Sequence, residues 1–165
     1  MNLQDVTIRT NLRSGDLGFV VYRHGVIYSR EYDYGLLFEM YVAEGLAEFY
    51  RNYDPQMDRV WICEHGDIVV GCLLLMHRDR AVAQLRYFYL EPEYRGIGLG
   101  KKLMQLYMEF LIGRKYRSSY LWTTNELGNA ASLYMECGFR LTVERESTAF
   151  GKRLLEQRYD LMIGD

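Results

Sequence analysis

Three glycines at alternate positions, Gly96, Gly98 and Gly100, stand between Arg95 and a Lys101-Lys102 pair. A backbone without Cβ atoms can bring its N–H groups close to a ligand's charged oxygens. The preceding stretch, Leu85 to Leu90, reads as a strand running into Glu91 and Pro92. After the glycines, Leu99, Leu103, Leu106, Tyr107, Phe110 and Leu111 recur at helical spacing. The turn therefore opens a helix, where free N–H groups and the positive end of the helix dipole favour a phosphate. Arg95, Lys101 and Lys102 add fixed cations that make sense beside an anion, although the two lysines could equally form a solvated face.

Two familiar nucleotide motifs do not fit. A P-loop needs a hydroxyl residue after its lysine, and here Lys102 follows Lys101. A dinucleotide fingerprint needs G-x-G-x-x-G near the start of a doubly wound fold; this is G-x-G-x-G, it follows several strands, and Glu126 comes late for a ribose-binding acid.

The rest of the chain must position that turn. At 165 residues it suits one domain, 1–165. Leu3 to Arg13 alternates loosely as a first strand. Ser14-Gly15-Asp16 supplies a turn and cap for a helix from Asp16 to about Arg30, with apolar positions at Leu17, Val20, Val21, His24 and Tyr28 and a weak point at Gly25. Asp33 is expected to cap a second helix whose apolar face holds Leu36, Leu37, Met40, Tyr41, Ala43, Leu46, Ala47 and Tyr50, ended before Pro55. Met57–Glu64, Asp67–Met76 and Ala81–Leu90 read as three strands joined by tight turns, the last of them central. The glycine-turn helix runs to about Ile112, and Tyr120–Thr124 follows as a strand, so strand, helix and strand predict a parallel pair. A short helix, Ala130–Cys137, stops at Gly138, and Phe139–Arg145 and Glu156–Ile163 read as two final strands.

Composition narrows the function. A net charge of −2 and a pI near 6.0 argue against non-specific nucleic-acid binding. No apolar run reaches the roughly 18 residues of a membrane span and no signal-peptide pattern opens the chain, so a cytoplasmic protein with no membrane partner is expected. Cys63, Cys72 and Cys137 form no C-x-x-C pair and His24, His65 and His77 no ligand spacing, which predicts reduced thiols and no metal site. The 15 tyrosines suggest a cleft where rings are dry and hydroxyls wet.

Arg95, Gly98 and Gly100 after Leu90 and Pro92, together with Ala130, Leu133, Tyr134, Gly138 and Phe139, make two motifs at the right separation. In both the sequence resembles the GNAT superfamily of acyl-CoA-dependent N-acyltransferases. Asp16-Leu17-Gly18, Arg23-His24-Gly25, Phe38-Glu39, Leu121-Trp122-Thr123 and Glu156 to Leu161 look like the acetyltransferase half of bacterial MarR-GNAT fusions. The winged-helix half of those proteins has no counterpart here, so DNA binding is not implied.

The resemblance implies an α+β fold of three layers, α/β/α: a mixed, mostly antiparallel sheet with helices on both faces and a parallel strand pair that splays. Acetyl-CoA would be the cosubstrate. Backbone groups of Phe88, Tyr89 and Leu90 would pair with pantetheine, and Arg95, Gly96, Ile97, Gly98, Leu99, Gly100 and Lys101 would hold the pyrophosphate. Tyr134 would protonate the departing thiolate. Relatives often carry Asn where Leu127 stands, so Asn125 or Asn129 is a substitute; Gln84 stands where some relatives place a basic Glu. Glu31, Asp33 and Glu39 are candidates to receive the acceptor amine or its proton, Glu39 foremost, each with a plain role as cap or surface charge. Arg86 could bind an acceptor carboxylate or pair with one of those acids, and His24 could pack or catalyse. The expected function is transfer of an acetyl group to a primary amine of a small molecule or protein by direct attack. The alternative is a non-catalytic acyl-CoA-binding module. A homodimer remains open.

Overall fold

Three apolar runs separated by two polar turns build the middle of the sheet, because each run is long enough to be covered on both faces. In the computed structural model, which describes residues 1–164, they are β2 (Arg59–His65), β3 (Ile68–His77) and β4 (Val82–Leu90). Ahead of them lie a single 3₁₀ turn (Leu3–Asp5), a short β1 (Thr7–Arg9), α1 (Asp16–Tyr32) and α2 (Leu36–Arg51). After a 3₁₀ turn at Pro92–Tyr94 come α3 (Leu99–Gly113), β5 (Ser118–Thr124), α4 (Gly128–Glu136), β6 (Arg140–Ser147) and β7 (Leu154–Met162). The seven strands form one sheet in the order β1-β2-β3-β4-β5-β7-β6. Only β4 and β5 pair in parallel, as a strand-helix-strand connection requires.

Two cores sandwich the sheet. On one face Val20, Ile27, Phe38, Val42, Leu46 and Phe49 of α1 and α2 pack on Val60, Ile62, Cys72, Leu74 and Met76. On the other, Leu99, Leu103, Tyr107 and Leu111 of α3 and Ala131 and Tyr134 of α4 pack on Trp61, Cys63, Leu73 and Leu75. This is the expected three-layer α/β/α arrangement.

Several local expectations are corrected. The first strand shrinks to three residues, because Asn2 caps a 3₁₀ turn over its predicted start. Asp33 is no N-cap: it ends α1 in the left-handed region at φ 59°, and α2 starts two residues after Tyr34. The buried stripe of α2 is Phe38, Val42, Gly45, Leu46 and Phe49, whereas Leu36, Leu37, Met40, Tyr41 and Tyr50 are exposed. Both stripes repeat at helical spacing, and the sheet takes the one whose two aromatics, Phe38 and Phe49, carry no hydroxyl that burial would leave needing a partner.

Gly25 has a purpose in the packing of α1 on α2. A Cβ there would collide with the Glu39 carboxylate, so the glycine lets Glu39 lie across α1. Asp16 is more than a dipole partner. It is buried, and its carboxylate accepts Arg9 Nη1 and Nη2 at 2.8 and 2.7 Å and the Arg13 N–H at 2.7 Å. Arg9 also donates Nε to Glu64 at 2.7 Å, which ties β1, β2 and the start of α1 together. Burial pushes the Asp16 carboxyl up, but the Arg9 and Arg13 hydrogen bonds outweigh it and leave the group below its usual 3.8.

A carboxyl held low stabilises the fold above its ordinary range and loses that contribution as the pH falls through the depressed value. Asp16→Ala should lower stability by about 2 kcal/mol at neutral pH by removing the acceptor of both Arg9 Nη groups and of the Arg13 N–H while Glu64 still holds Arg9 Nε, and by progressively less below about pH 4. Urea unfolding at the two pH values reads the difference; an equal loss at both would show that the pair is not what Asp16 supplies.

Candidate active site

The site begins at a defect in β4. Cys72 pairs with Tyr89 and Leu74 with Arg86, so Tyr87 and Phe88 stand opposite Leu73 alone. This β-bulge holds Tyr87 at φ 57°, a left-handed conformation that costs a bulky residue of order 1–3 kcal/mol. It also exchanges the faces of the strand. Ala83 and Leu85 belong to the core under α3, while Tyr87 and Tyr89 belong to the core under α1 and α2. The Cys72 thiol donates to the Tyr87 carbonyl at 3.0 Å and steadies the bulge.

Before the bulge, β4 pairs with β5 at Val82–Ser118, Ala83–Ser119 and Gln84–Tyr120. There the ladder stops. β5 continues to Thr124 paired only with β7, and the β5-facing peptide groups of β4 beyond Gln84 have no strand partner. The sheet opens into a cleft.

A cavity of about 620 Å³ fills the wider end of this cleft, between β4, the start of α3 and α4. Of the predicted donor-side residues, Phe88, Tyr89, Leu90, Arg95, Gly96, Gly98, Gly100, Lys101 and Asn129 line it. Ile97 and Leu99 do not: Ile97 packs on the α3-side core and Leu99 is buried within it. Gly96 and Gly98 have φ of 76° and 90°, which only glycine adopts freely. Gly98 is the N-cap of α3 without a side-chain cap, so the first N–H groups of that helix face outward. A Cβ on Gly100 would come within 3.0 Å of Leu133 and 3.6 Å of Phe88, so this glycine seats α3 against α4 and β4. Arg95 donates Nε to the Leu90 carbonyl at 3.2 Å and Nη1 to Glu31 at 2.7 Å, tying the turn to α1. Lys101 stands 3.7 Å from Glu136 with both side chains exposed.

A second cavity of about 100 Å³ continues inward between α1, α2, β4 and β5. Tyr28, Phe88, Leu127 and Tyr134 line both spaces. Tyr134 therefore sits at the junction, buried, with its ring 6.1 Å from Phe88, and its hydroxyl has no hydrogen-bond partner among the described residues. Burial raises its phenol well above the ordinary value of 10.0, so it stays protonated.

The inner walls come from residues without a sequence signal. Tyr34 shares a 2.7 Å hydrogen bond with Thr124. Phe150, in the loop between β6 and β7, packs edge-on against Phe38 with ring centroids 5.0 Å apart, and its carbonyl accepts the Gly35 N–H at 3.1 Å. Lys152 of the same loop donates to the Tyr32 carbonyl at 2.9 Å and pairs with Glu126 at 2.7 Å. Glu39 lines neither cavity, since its carboxylate lies against Gly25, and Asp33 lines neither. Glu31 lines the outer space and Arg86 the inner one. Among the described residues no group of three or more potential ligands could hold a metal ion, and no helix is long and apolar enough to cross a membrane.

The model of the acetyltransferase (GNAT) family matches residues 23–139, well over half of the chain and all of β4, the glycine turn and α4. The chain belongs to that family. It is 33% identical over 97 residues to the uncharacterized N-acetyltransferase YjgM of Escherichia coli, covering 57% of this chain and 58% of that protein, so it spans less than two thirds of that relative's length. The GNAT fold extends along almost the whole chain. An acetyltransferase from Streptococcus agalactiae superimposes with a TM-score of 0.76 at 21% identity, covering 98% of this chain and 100% of that one. The yncA protein of Salmonella typhimurium, whose structure contains acetyl-CoA, superimposes with a TM-score of 0.73 at 17% identity, covering 98% and 95%.

His24 is buried among Tyr28, Tyr87 and Tyr89, and its Nδ1–H donates to the Val20 carbonyl at 2.8 Å. Burial lowers its pKa from 6.5 to about 4, only partly opposed by that hydrogen bond. The unfolded chain takes up this proton first, so the fold loses stability as the pH falls from 6.5 towards 4. NMR of the imidazole should show the Nδ1–H tautomer without titration between about pH 5.5 and 8. A midpoint near the ordinary 6.5 would contradict the burial.

Proposed function

We propose that this chain is an acyl-CoA-dependent N-acyltransferase that joins acetyl-CoA and a primary amine in a ternary complex. The observation that carries the proposal is the cleft where β4 leaves β5. It presents an unpaired strand edge, an uncapped helix start and a protonated tyrosine in sequence along one path.

The residues present suit the donor. Those peptide groups between Phe88 and Leu90 that face away from β3, the Leu90 carbonyl apart because it accepts from Arg95, can hydrogen-bond an extended amide-bearing arm as another strand would. Gly96 and Gly98, with the N–H groups of Leu99, Gly100 and Lys101, offer a pyrophosphate the cradle that a Cβ would narrow. When bound, acetyl-CoA supplies an activated acyl carbonyl and a thiolate leaving group.

Tyr134 holds a proton where the two compartments meet; it gives that proton to the departing sulfur, and the proton shed by the attacking amine returns to the phenolate oxygen, so the phenol is restored as the amide and the thiol form. Phe88, Leu127 and Tyr28 line the same junction and exclude water from it. The inner compartment receives the amine. Gln84 cannot take the amine's proton, because it is an amide whose oxygen already accepts from Arg78 and Tyr120. Glu39 lines neither compartment and is given no part in the step proposed. The pH dependence then reports the neutral fraction of the amine itself.

Thiol release from acetyl-CoA over a panel of primary amines tests this. Release should require an amine, and Tyr134→Phe should lower kcat about a hundredfold while acetyl-CoA still binds. With Tyr134 held above its ordinary range, the rate should rise with pH and show no descending limb below about pH 10. Tight acetyl-CoA binding without thiol release for any amine would identify a non-catalytic acyl-CoA-binding module instead.

A further inference from the structure

The inner compartment is lined by two donors from one strand. Gln84 and Arg86 lie two apart on β4 ahead of the bulge, which places them on the same face. Gln84 is buried, and its Oε1 accepts Arg78 Nε at 2.8 Å, Arg78 Nη2 at 2.5 Å and the Tyr120 hydroxyl at 3.3 Å. With the oxygen committed three times, the amide N–H₂ is the end left for a ligand.

Arg86 differs from the other structured arginines of the site region. Arg23, Arg78, Arg95 and Arg158 each hold a carboxylate within 2.8 Å. Among the described residues Arg86 has no carboxylate within the 4.0 Å of an ion pair. Its guanidinium rests on the rings of Tyr41 and Tyr87, 5.5 and 4.8 Å from their centroids. Room for it is built into α2. A Cβ on Gly45 would stand 2.6 Å from Arg86 Nη2 and would collide with the Tyr87 hydroxyl. A glycine in a helix interior weakens the helix, and this one keeps an unpaired cation against the cavity wall.

We propose that the acceptor amine carries a carboxylate, held by Arg86 and the Gln84 amide, so that the substrate class is amino acids or similarly sized amino carboxylates. This rests on the inner compartment being the acceptor side. Its volume of about 100 Å³ suits a small acceptor. A polycationic amine meets Arg86 there and finds one lining carboxylate, Glu156, already 3.2 Å from Arg145. Gly45 is a positioning residue for the guanidinium.

The test is steady-state kinetics with acetyl-CoA and matched acceptors: amino acids, their carboxamides and their decarboxylated amines, compared after correction for neutral-amine fraction. Wild type should favour the carboxylate by tenfold or more in kcat/KM. Arg86→Gln should bring that preference close to one, chiefly through KM. Arg86→Lys should restore part of it, and Gly45→Ala should reduce it by displacing Arg86, with circular dichroism verifying each fold. Equal or better use of carboxamides and plain amines by wild type, or a preference that survives Arg86→Gln in a folded protein, overturns the carboxylate site and leaves the N-acyltransferase intact. If no acceptor of any of the three kinds releases thiol, the acceptor compartment and the carboxylate site fall together.

Discussion

The bulge at Tyr87 is the constraint on which the cleft depends. One extra residue opposite Leu73 turns β4 over, so that the strand serves one core with Ala83 and Leu85 and the other with Tyr87 and Tyr89. The same turn ends the β4–β5 ladder after Gln84 and leaves an unpaired edge in the middle of a sheet. Such an edge is costly when buried, so it persists only with surrounding support. Cys72 supplies a hydrogen bond to the Tyr87 carbonyl, Gly45 makes room for the Tyr87 ring end, and the bidentate Arg23–Glu91 pair at 2.6 and 2.7 Å ties the end of β4 to α1.

The two helical layers then act on opposite ends of one path. α3 and α4 form the outer wall through the glycine turn, Gly100 and Leu133, and bring Tyr134 to the junction. α1 and α2, braced by Phe150 and Lys152 of the β6–β7 loop, form the inner wall. Desolvation links structure to chemistry at that junction: it keeps Tyr134 protonated and His24 neutral, so the charged side chains lining the inner space are Arg86 and Glu156.

Much of this was legible in the residues. The glycine turn, α3 and the parallel pair follow from glycine spacing and a clean helical period, because local geometry decides them. What was not legible depends on contacts between distant segments. Tyr87 is a tyrosine in a left-handed conformation, and nothing in its type announces a bulge. α2 carries two apolar stripes, and only the sheet selects Phe38, Val42 and Phe49. Asp33 is compatible with either side of a helix break, and Glu39, read as a candidate base, is drawn against Gly25 by the packing of α1 on α2. Phe150 lies in a hairpin loop with no motif, yet it lines the inner compartment.

Hydrogen exchange along β4 tests the role of the unpaired edge most directly. Adding acetyl-CoA should slow exchange at the β4 amides between Phe88 and Leu90 that face away from β3 and at Leu99 to Lys101, while β2 and β6 keep their rates, because on the proposed reading an extended arm would pair with the open edge and a pyrophosphate with the helix start. Saturating acetyl-CoA that leaves the β4 amides exchanging as before would contradict the account.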